Sequence, residues 1–299
     1  EINIKYEKIV QEKITRTIIV GTGPAGLFAG LALARMGFRP ILFERGKRVD
    51  ERVKDVEAFW KEGKLNTQSN VQFGEGGAGT FSDGKLNTSV NNPRGKVVLE
   101  EFVKAGAPEE ILYSNKPHIG TDLLRNAVKN IRNTIISLGG EVKFNSQVTD
   151  LLIEDNRIIG VKVNNEEEYY SYKVILALGH SARDTFEMLY KRGVNIVPKP
   201  FSIGVRIEHP QIIINKSQYG KFAFHPKLGA ADYKLAAHFD NGRSAYTFCM
   251  CPGGMVIAAA SEENMVVTNG MSYHARDLEN ANSALLVGVN PEDFGSSHP

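Results

Sequence analysis

The sequence predicts a two-part α/β protein: an α/β domain built on a doubly wound parallel sheet in residues 1–199, and a β-rich, α+β domain in residues 200–299. Three observations support this. In residues 17–46 an apolar run, a glycine turn, a helical segment and a second apolar run follow one another. Residues 121–138 carry apolar side chains at helical spacing. After the proline-containing stretch 197–200, strand-like alternation replaces the helical period.

The first glycine turn has the G-x-G-x-x-G spacing of a dinucleotide-binding unit. Gly21 permits the tight turn out of the strand at residues 17–20, and Gly23 lets the backbone approach a pyrophosphate. Gly26 lets the helix pack closely on the strand. The phosphates would then meet the free N–H groups and the positive end of that helix. The competing interpretation is a glycine-rich strand–helix–strand unit that binds no ligand.

The residues around this turn agree with the pattern. Pro24 suits the first helical turn, where its missing N–H costs nothing, and Gly37 suits the helix end. Glu44 follows the second strand and closes the unit. Its carboxylate can accept hydrogen bonds from ribose hydroxyls and would repel a 2′-phosphate, which favours FAD or NAD over NADP. The proline and glycines argue against a membrane span in residues 17–34.

The remaining elements follow in order. We expect a surface helix in residues 47–64, a long loop in 66–95, and a helix in 96–112 broken near Gly106. A helix is expected from Thr121 to Leu138, and Thr121 can cap its start. The strands expected after it are residues 142–144, 151–153, 158–163 and 173–178, with a turn at Asp155-Asn156 and a small antiparallel excursion before the return to the main sheet.

A second glycine-rich segment spans residues 74–88 and includes G-x-x-x-x-G-K. A phosphate-binding P-loop needs Ser or Thr after the lysine and a strand before the loop, but Leu86 follows and no clear strand precedes. We therefore predict a loop that lies against a bound cofactor, and a flexible surface loop is the alternative. Its candidate polar contacts are Thr80, Ser82, Asp83 and Lys85.

Composition narrows the class of protein. The net charge of +2 is too small, and the basic residues too scattered, to indicate nucleic-acid binding. Residues 1–16 are charged and lack the apolar core of a signal peptide, so we expect a cytoplasmic protein, with residues 1–13 as an arm or edge segment. No histidine pattern indicates a zinc site. His180, at a predicted sheet edge, and His118, before a helix, are candidates for function or for structural roles.

Two further groups are open to more than one interpretation. Cys249 and Cys251 alternate on a strand, so both thiols should face one side, either as redox-active groups near a flavin or as small buried side chains. Arg206 and Glu208 share a face by the same alternation, where they could pair with each other or bind an anionic substrate.

Several motifs together resemble a known group. GTGPAGL followed by a helix and FERG resembles the glutathione-reductase-type FAD-binding flavoproteins. More narrowly, GEGGAGTFSDGKL, KPHIGTDLL, ALGHSARDT and FCMCPGG resemble bacterial FAD-dependent dehydrogenases of the NAD(FAD)-utilising kind. The resemblance covers nearly the whole chain and implies a Rossmann-like FAD/NAD(P)-binding domain plus a substrate or cap domain.

The resemblance implies roles residue by residue. Glu44 would hold the adenosine ribose with Arg45 beside it, and Gln147-Val148 would meet adenine. In Ala177-Leu178-Gly179, Leu178 replaces the threonine of the family's A-T-G turn. The segment from Gly79 to Lys85 would approach the isoalloxazine. The pyrophosphate would be cradled by Gly21, Gly23, Pro24, Ala25 and Gly26.

The implied function is an FAD-dependent dehydrogenase that transfers hydride from a small-molecule substrate to flavin, with NAD as a possible electron partner. Members of the group end with a Gly-Asp segment that this sequence lacks, so we expect a truncated chain that binds FAD weakly or not at all. Three alternatives stay open: an NAD-binding dehydrogenase without flavin, a flavin-dependent RNA-modifying protein, and a nucleotide-sensing module. No catalytic residue and no oligomeric state is predicted.

Overall fold

The computed structural model describes residues 16–87 and 92–295. The expected N-terminal arm, residues 1–13, lies outside them, as do Thr88 and residues 297–299. Within the described part, no helix is both long and apolar enough to cross a membrane.

A parallel sheet forms the centre of the first part and has the strand order β3-β2-β1-β7. The strands of this part are β1 (Ile18–Val20), β2 (Ile41–Phe43), β3 (Glu141–Lys143), β4 (Val148–Glu154), β5 (Arg157–Val163), β6 (Glu167–Tyr170) and β7 (Val174–Leu176). In β1, Ile18 lies opposite both Ile41 of β2 and Val174 of β7. The chain leaves β1 towards β2 and β3 and later returns to β7 on the other side, so the strand order reverses at β1. The predicted Rossmann-like α/β fold is confirmed.

Both faces of this sheet are covered. The helices are α1 (Pro24–Arg35), α2 (Val49–Glu62), α3 (Arg94–Lys104), α4 (Thr121–Ser137) and α5 (Arg183–Lys191). Ile19 packs with Leu31 of α1 and Ile131 of α4 on one face. The neighbouring Ile18 points to the other face, where it packs with Val161 of β5 and the other members of a second buried cluster. Burial on both faces explains why β1 is an uninterrupted apolar run.

The small antiparallel excursion is also present. Strands β4, β5 and β6 form a sheet in that order. Asp155 and Asn156, at the predicted turn, both have positive φ, 49° and 59°. Tyr169 of β6 places its ring edge-on against Phe43 of β2, with centroids 4.7 Å apart, which joins the excursion to the central sheet.

The second part is mainly β, as predicted. Its elements are β8 (Phe201–Pro210), α6 (Gln211–Tyr219), β9 (Ala236–His238), β10 (Ser244–Cys251), β11 (Gly254–Ala258), β12 (Thr268–Ser272) and β13 (Asn280–Val289). Strands β8, β13, β10 and β9 form an antiparallel sheet in that order, and β11 pairs with β12. The domain boundary placed between residues 199 and 200 stays a prediction.

Two local expectations were wrong. The sequence showed little helical periodicity after Phe201, yet α6 follows β8 directly, and Gln211 holds it there by donating to the Ala231 carbonyl at 2.9 Å. The expected cap, Thr121, is the first residue of α4 and caps nothing, since the N-cap position belongs to Gly120. A long-range hydrogen bond takes the Thr121 hydroxyl instead, which donates to the Thr80 carbonyl at 2.7 Å.

Candidate functional site

A cleft lies at the carboxyl ends of β1, β2 and β7, where the strand order reverses. Ligands of open α/β sheets bind at such a point. Its volume is about 230 Å³, below the range of about 300–1,000 Å³ for pockets that take up whole drug-sized ligands. The predicted cofactor residues that line it are Gly21, Gly23, Pro24, Glu44, Arg45, Gly79, Val148 and Gly179.

The glycine turn after β1 is held by backbone contacts that exclude side chains. Gly21 has φ 100°, and its amide donates to the Phe43 carbonyl at 2.7 Å. A Cβ on Gly21 would lie 2.4 Å from the Ala177 carbonyl oxygen, and one on Gly26 would lie 1.9 Å from the Gly21 carbonyl oxygen. These two glycines are therefore required by the fold itself.

Gly23 and Gly77 form a side-chain-free cradle at the start of α1. A Cβ on Gly77 would lie 3.1 Å from Gly23 Cα, so the two backbones pass close together. Gly23 is the N-cap residue, no side chain caps the helix, and its first turn, which includes the exposed Ala25, carries no acid. Free N–H groups and the helix dipole at such an end favour a phosphate.

Glu44 ties the first glycine turn to the second glycine-rich segment. One carboxylate oxygen accepts hydrogen bonds from the Thr22 amide at 2.9 Å and the Thr22 hydroxyl at 2.7 Å. The other accepts from the amides of Gly46 at 2.9 Å and Gly74 at 3.0 Å. Because a carboxylate offers about four acceptor positions, these bonds occupy it fully. The contact of Glu44 with ribose stays a prediction. Its hydrogen bonds to the two glycine-rich segments are a structural role that the sequence did not predict.

Arg45 and Gln147, at the wall of the cleft, both donate hydrogen bonds to Asp184. The Arg45 guanidinium lies 4.3 Å from the centre of the Phe73 ring and donates to Asp184 at 2.8 Å. Gln147 donates to the other carboxylate oxygen of Asp184 at 2.7 Å. Burial opposes ionisation of Asp184, but the hydrogen bond and charge of Arg45 outweigh it and lower the pKa of that carboxyl. Sequence reasoning missed Asp184.

Arg52 organises the second glycine-rich segment from inside. Its side chain is fully buried and lies over the Phe81 ring, and burial lowers its pKa to about 10. It donates to four backbone carbonyls, at 2.7–2.9 Å: those of Asn70, Val71, Glu75 and Gly77. A single guanidinium therefore determines the path of the loop that faces the cleft.

Glu75 completes this buried network. Its carboxylate accepts from the Val49 amide at 2.8 Å and pairs with Arg132 at 2.9 Å. Burial raises the pKa of Glu75, and the bonds to Val49 and Arg132 oppose that change. Sequence reasoning missed Arg52, Glu75 and Arg132. One signal was available, because Arg52 lies three residues after Val49 and four before Val56, on the apolar stripe of α2.

The four predicted polar contacts of the glycine-rich loop do not line the cleft. Thr80 and Asp83 are buried, and the Ser82 hydroxyl donates to the Gly79 carbonyl at 2.7 Å. Lys85 pairs with Asp83 at 3.2 Å. These side chains bond to protein groups, and their contact with a flavin stays a prediction.

The same loop is bonded to the second part of the chain. Arg276, just before β13, grips Asp83 with two nitrogens, one at 2.9 Å, and Lys85 donates to the Met250 carbonyl of β10. Burial opposes ionisation of Asp83, but the hydrogen bond from Arg276 and the positive charges of Lys85 and Arg276 outweigh it and lower its pKa. The loop thus lies between the cleft and the β-rich part.

The two candidate histidines, His180 and His118, lie in different places. His180 lines the cleft, and its Nδ1 lies 2.6 Å from the Ser181 hydroxyl. His118 stacks on His274 with ring centres 5.2 Å apart, and burial lowers its pKa. In residues 16–87 and 92–295, no group of three His, Cys, Asp or Glu side chains could hold a metal ion.

Comparison with known proteins adds a family match in the β-rich part. Residues 200–299 match the family model described as "FAD-dependent protein, C-terminal domain-like". An uncharacterized protein of Clostridium beijerinckii is 57% identical over 290 residues, which is 97% of this chain and 54% of that protein. The chain therefore spans about half the length of this relative. The match supports an FAD-dependent flavoprotein.

The comparisons also found more distant similarities. Digeranylgeranylglycerophospholipid reductase 1 of Methanococcoides burtonii is 26% identical over 167 residues, which is 54% of this chain and 36% of that enzyme. Among solved structures, glycine oxidase from Bacillus cereus is 12% identical with a TM-score of 0.44, covering 95% of this chain and 78% of that one.

Proposed function

We propose that this chain is the cofactor-binding portion of an FAD-dependent oxidoreductase and that its cleft holds the ADP half of FAD. The observation that carries the proposal is the convergence of the uncapped start of α1 with Glu44, Arg45 and Val148 in one cleft. The family match in residues 200–299 supports it. When bound, FAD supplies the hydride-accepting chemistry, and the protein binds and orients it.

The fit is best at the pyrophosphate. Gly23 and Gly77 leave a space walled by backbone, and a side chain on either residue would enter it. Pro24 and Ala25 bring the first turn of α1 up to that space. Phosphate oxygens can accept hydrogen bonds from backbone N–H groups there, without competition from a capping side chain.

Arg45 and Glu44 line the cleft at the proposed adenosine end. A ribose hydroxyl would replace one of the protein donors on the Glu44 carboxylate, and the negative charge of Glu44 disfavours a 2′-phosphate. Arg45, held over Phe73 by Asp184, forms part of the wall with Gln147. We propose dehydrogenase activity with hydride transfer to the flavin, and NAD as the electron partner.

The direct test is FAD titration of the purified protein, followed by desalting and visible absorbance, with NAD titrated in parallel. We expect FAD to bind and to change its visible absorbance on titration. Flavin that persists after desalting would show tight binding, and flavin that is lost would agree with the weak binding expected from the sequence. Binding of NAD with no binding of FAD would favour a dehydrogenase without flavin. Binding of neither nucleotide would contradict the proposal.

Substitution of Gly23 tests whether FAD binds in this cleft. Gly23 has φ −66°, which alanine adopts freely, and the new Cβ would lie 3.9 Å from Gly77 Cα, an ordinary contact. We expect Gly23→Ala to keep its thermal midpoint and to bind FAD about tenfold or more weaker, equivalent to about 1.4 kcal/mol. Gly95→Ala, with open space around its Cβ, is the matched control and should bind as the unmodified protein does. Equal affinity in both variants would place the nucleotide elsewhere.

A further inference from the structure

The only two cysteines of the sequence lie together at an irregular end of β10. The pairing of β10 with β13 shifts register between Phe248 and Cys251, and Cys249 has a left-handed backbone with φ 46°. The Cys251 thiol donates to the Cys249 carbonyl oxygen. The register shift and the left-handed Cys249 interrupt the strand alternation, so the shared face of the two thiols stays a prediction. Cys251 is fully buried and Cys249 is partly exposed.

The space around Cys251 depends on a glycine. A Cβ on Gly270 of β12 would lie 2.6 Å from the Cys251 sulfur. The Cys251 sulfur also lies 3.4 Å from the Cys249 carbonyl oxygen. The buried thiol therefore has a close-fitting position next to its partner.

Two cations from different elements contact the backbone carbonyls of Cys249 and its neighbour Met250. Arg206 of β8 donates to the Cys249 carbonyl at 3.3 Å and is held by Asn282 at 2.7 Å. Lys85, from the glycine-rich loop, donates to the carbonyl of the intervening Met250. Arg206 does not pair with Glu208, which instead accepts from Asn280 at 2.8 Å.

These surroundings make the two thiols chemically different. The hydrogen bond from Cys251 lowers the pKa of Cys249, the charges of Lys85 and Arg206 lower it further, and burial and Asp83 oppose them. For Cys251, the same hydrogen bond and burial raise the pKa. A partly exposed cysteine with a lowered pKa beside a fully buried cysteine is the arrangement of an attacking and a resolving cysteine.

We propose that Cys249 and Cys251 form a thiol–disulfide exchange site for small disulfides, independent of flavin binding. The Cys249 thiolate attacks one sulfur of the disulfide, forms a mixed disulfide and releases one thiolate. The released thiolate takes the proton of Cys251, whose sulfur then attacks Cys249 and releases the second thiolate. The substrate gains two electrons, and the two cysteines become one disulfide.

The spacing allows that disulfide. Two residues along a regular strand span roughly 6.6 Å, which is within the limit of about 6.8 Å between the Cα atoms of a disulfide. The register shift between Phe248 and Cys251 marks an irregular backbone here, which can adjust the separation.

The first test equilibrates the protein with reduced and oxidised glutathione at a series of ratios. After acid quenching and alkylation, mass spectrometry counts blocked cysteines. We expect a fraction of monomer with Cys249 linked to Cys251, and this fraction should follow the ratio as a two-electron couple. Alkylation of both cysteines at every ratio, or disulfide-linked dimers alone, would overturn the proposal.

Serine variants separate the two roles. We expect Cys251→Ser to accumulate a mixed disulfide with glutathione at Cys249. In Cys249→Ser, the remaining Cys251 should react with iodoacetamide about tenfold or more slowly at neutral pH, because little thiolate is present. Equal reactivity of the two variants, both checked for folding by circular dichroism, would overturn the assignment.

A charge variant tests the electrostatic part. The charged and titratable groups around Cys249 are Lys85, Arg206, Asp83 and Cys251. Lys85→Gln should raise the pH midpoint of Cys249 alkylation, and Lys85→Arg should leave it close to that of the unmodified protein. An unchanged pH midpoint in Lys85→Gln would show that the charge of Lys85 does not lower the pKa of Cys249. The serine variants decide the exchange chemistry even if this variant does not fold.

Discussion

Arg276 and Asp83 are 193 residues apart in sequence, yet two guanidinium nitrogens of Arg276 grip the two carboxylate oxygens of Asp83. Asp83 is almost completely buried, and Lys85 contacts it as well. The pair joins the loop beside the cleft to the β-rich part. Bidentate pairs of this kind add geometric specificity as well as energy.

Breaking this pair should destabilise the protein. Arg276→Gln leaves the buried Asp83 with Lys85 as its remaining ion-pair partner, and Asp83→Asn leaves the half-buried Arg276 without its carboxylate. We expect Arg276→Gln to lose up to about 3–5 kcal/mol of unfolding free energy and Asp83→Asn to lose less. The double variant should lose less than the sum, as measured by urea unfolding in a double-mutant cycle. Strict additivity would show that the two residues are not coupled.

The lowered pKa of Asp83 predicts how the unfolding free energy changes at low pH. Its folded-state pKa is below the ordinary 3.8, so its contribution to stability is complete above 3.8 and is lost as pH falls through the lower folded-state value. The difference in unfolding free energy between the unmodified protein and Asp83→Asn should therefore shrink below pH 3.8. A difference that is constant down to the acid transition would contradict the shifted pKa.

Arg52→Gln should weaken the loop that faces the cleft. Glutamine cannot reach all four carbonyls, and an unsatisfied buried acceptor costs about 1–3 kcal/mol. We expect a loss of about 3 kcal/mol or more in thermal or urea unfolding, together with weaker FAD binding. Arg48→Gln is the matched control, because Arg48 is exposed and its contact with Asp50 at 3.7 Å contributes little.

Gly26→Ala should affect folding, in contrast with Gly23→Ala. The added Cβ would overlap the Gly21 carbonyl oxygen, so the helix must move away from β1. We expect a loss of about 1–3 kcal/mol of unfolding free energy, as for other overpacked sites. Gly95→Ala again serves as the control, and an unfolding midpoint equal to that of Gly26→Ala would contradict the packing argument.

Glu44→Gln should reduce stability even without nucleotide. Glutamine replaces one acceptor oxygen by an NH2 group, which is a donor. This NH2 group would face the donors of Thr22, or those of Gly46 and Gly74, and their hydrogen bonds would be lost. We expect a loss of about 1–3 kcal/mol in urea unfolding of the nucleotide-free protein. Glu62→Gln, at the exposed end of α2, is the control. A loss of FAD affinity with unchanged stability would mean that the ribose, not the loop, depends on this carboxylate.

The sequence predicted the first strand–turn–helix unit well because its signals are local. Gly21 requires a positive φ, Gly26 requires close packing, and the apolar period of α4 is readable from its own residues. The same holds for the turn at Asp155 and Asn156. The helix α6 was missed because its order depends on Gln211 reaching Ala231, which local periodicity does not reveal.

The sequence by itself determined the central α/β unit, the order of its first elements and the position of the glycine turn, because backbone conformation and side-chain period are properties of neighbouring residues. Only the tertiary structure decided how the second glycine-rich loop is used. Arg52 holds it from α2, Arg276 holds it from the β-rich part, and Lys85 donates to the Met250 carbonyl of β10. These partners come from distant segments, and burial selects them only when the chain has folded.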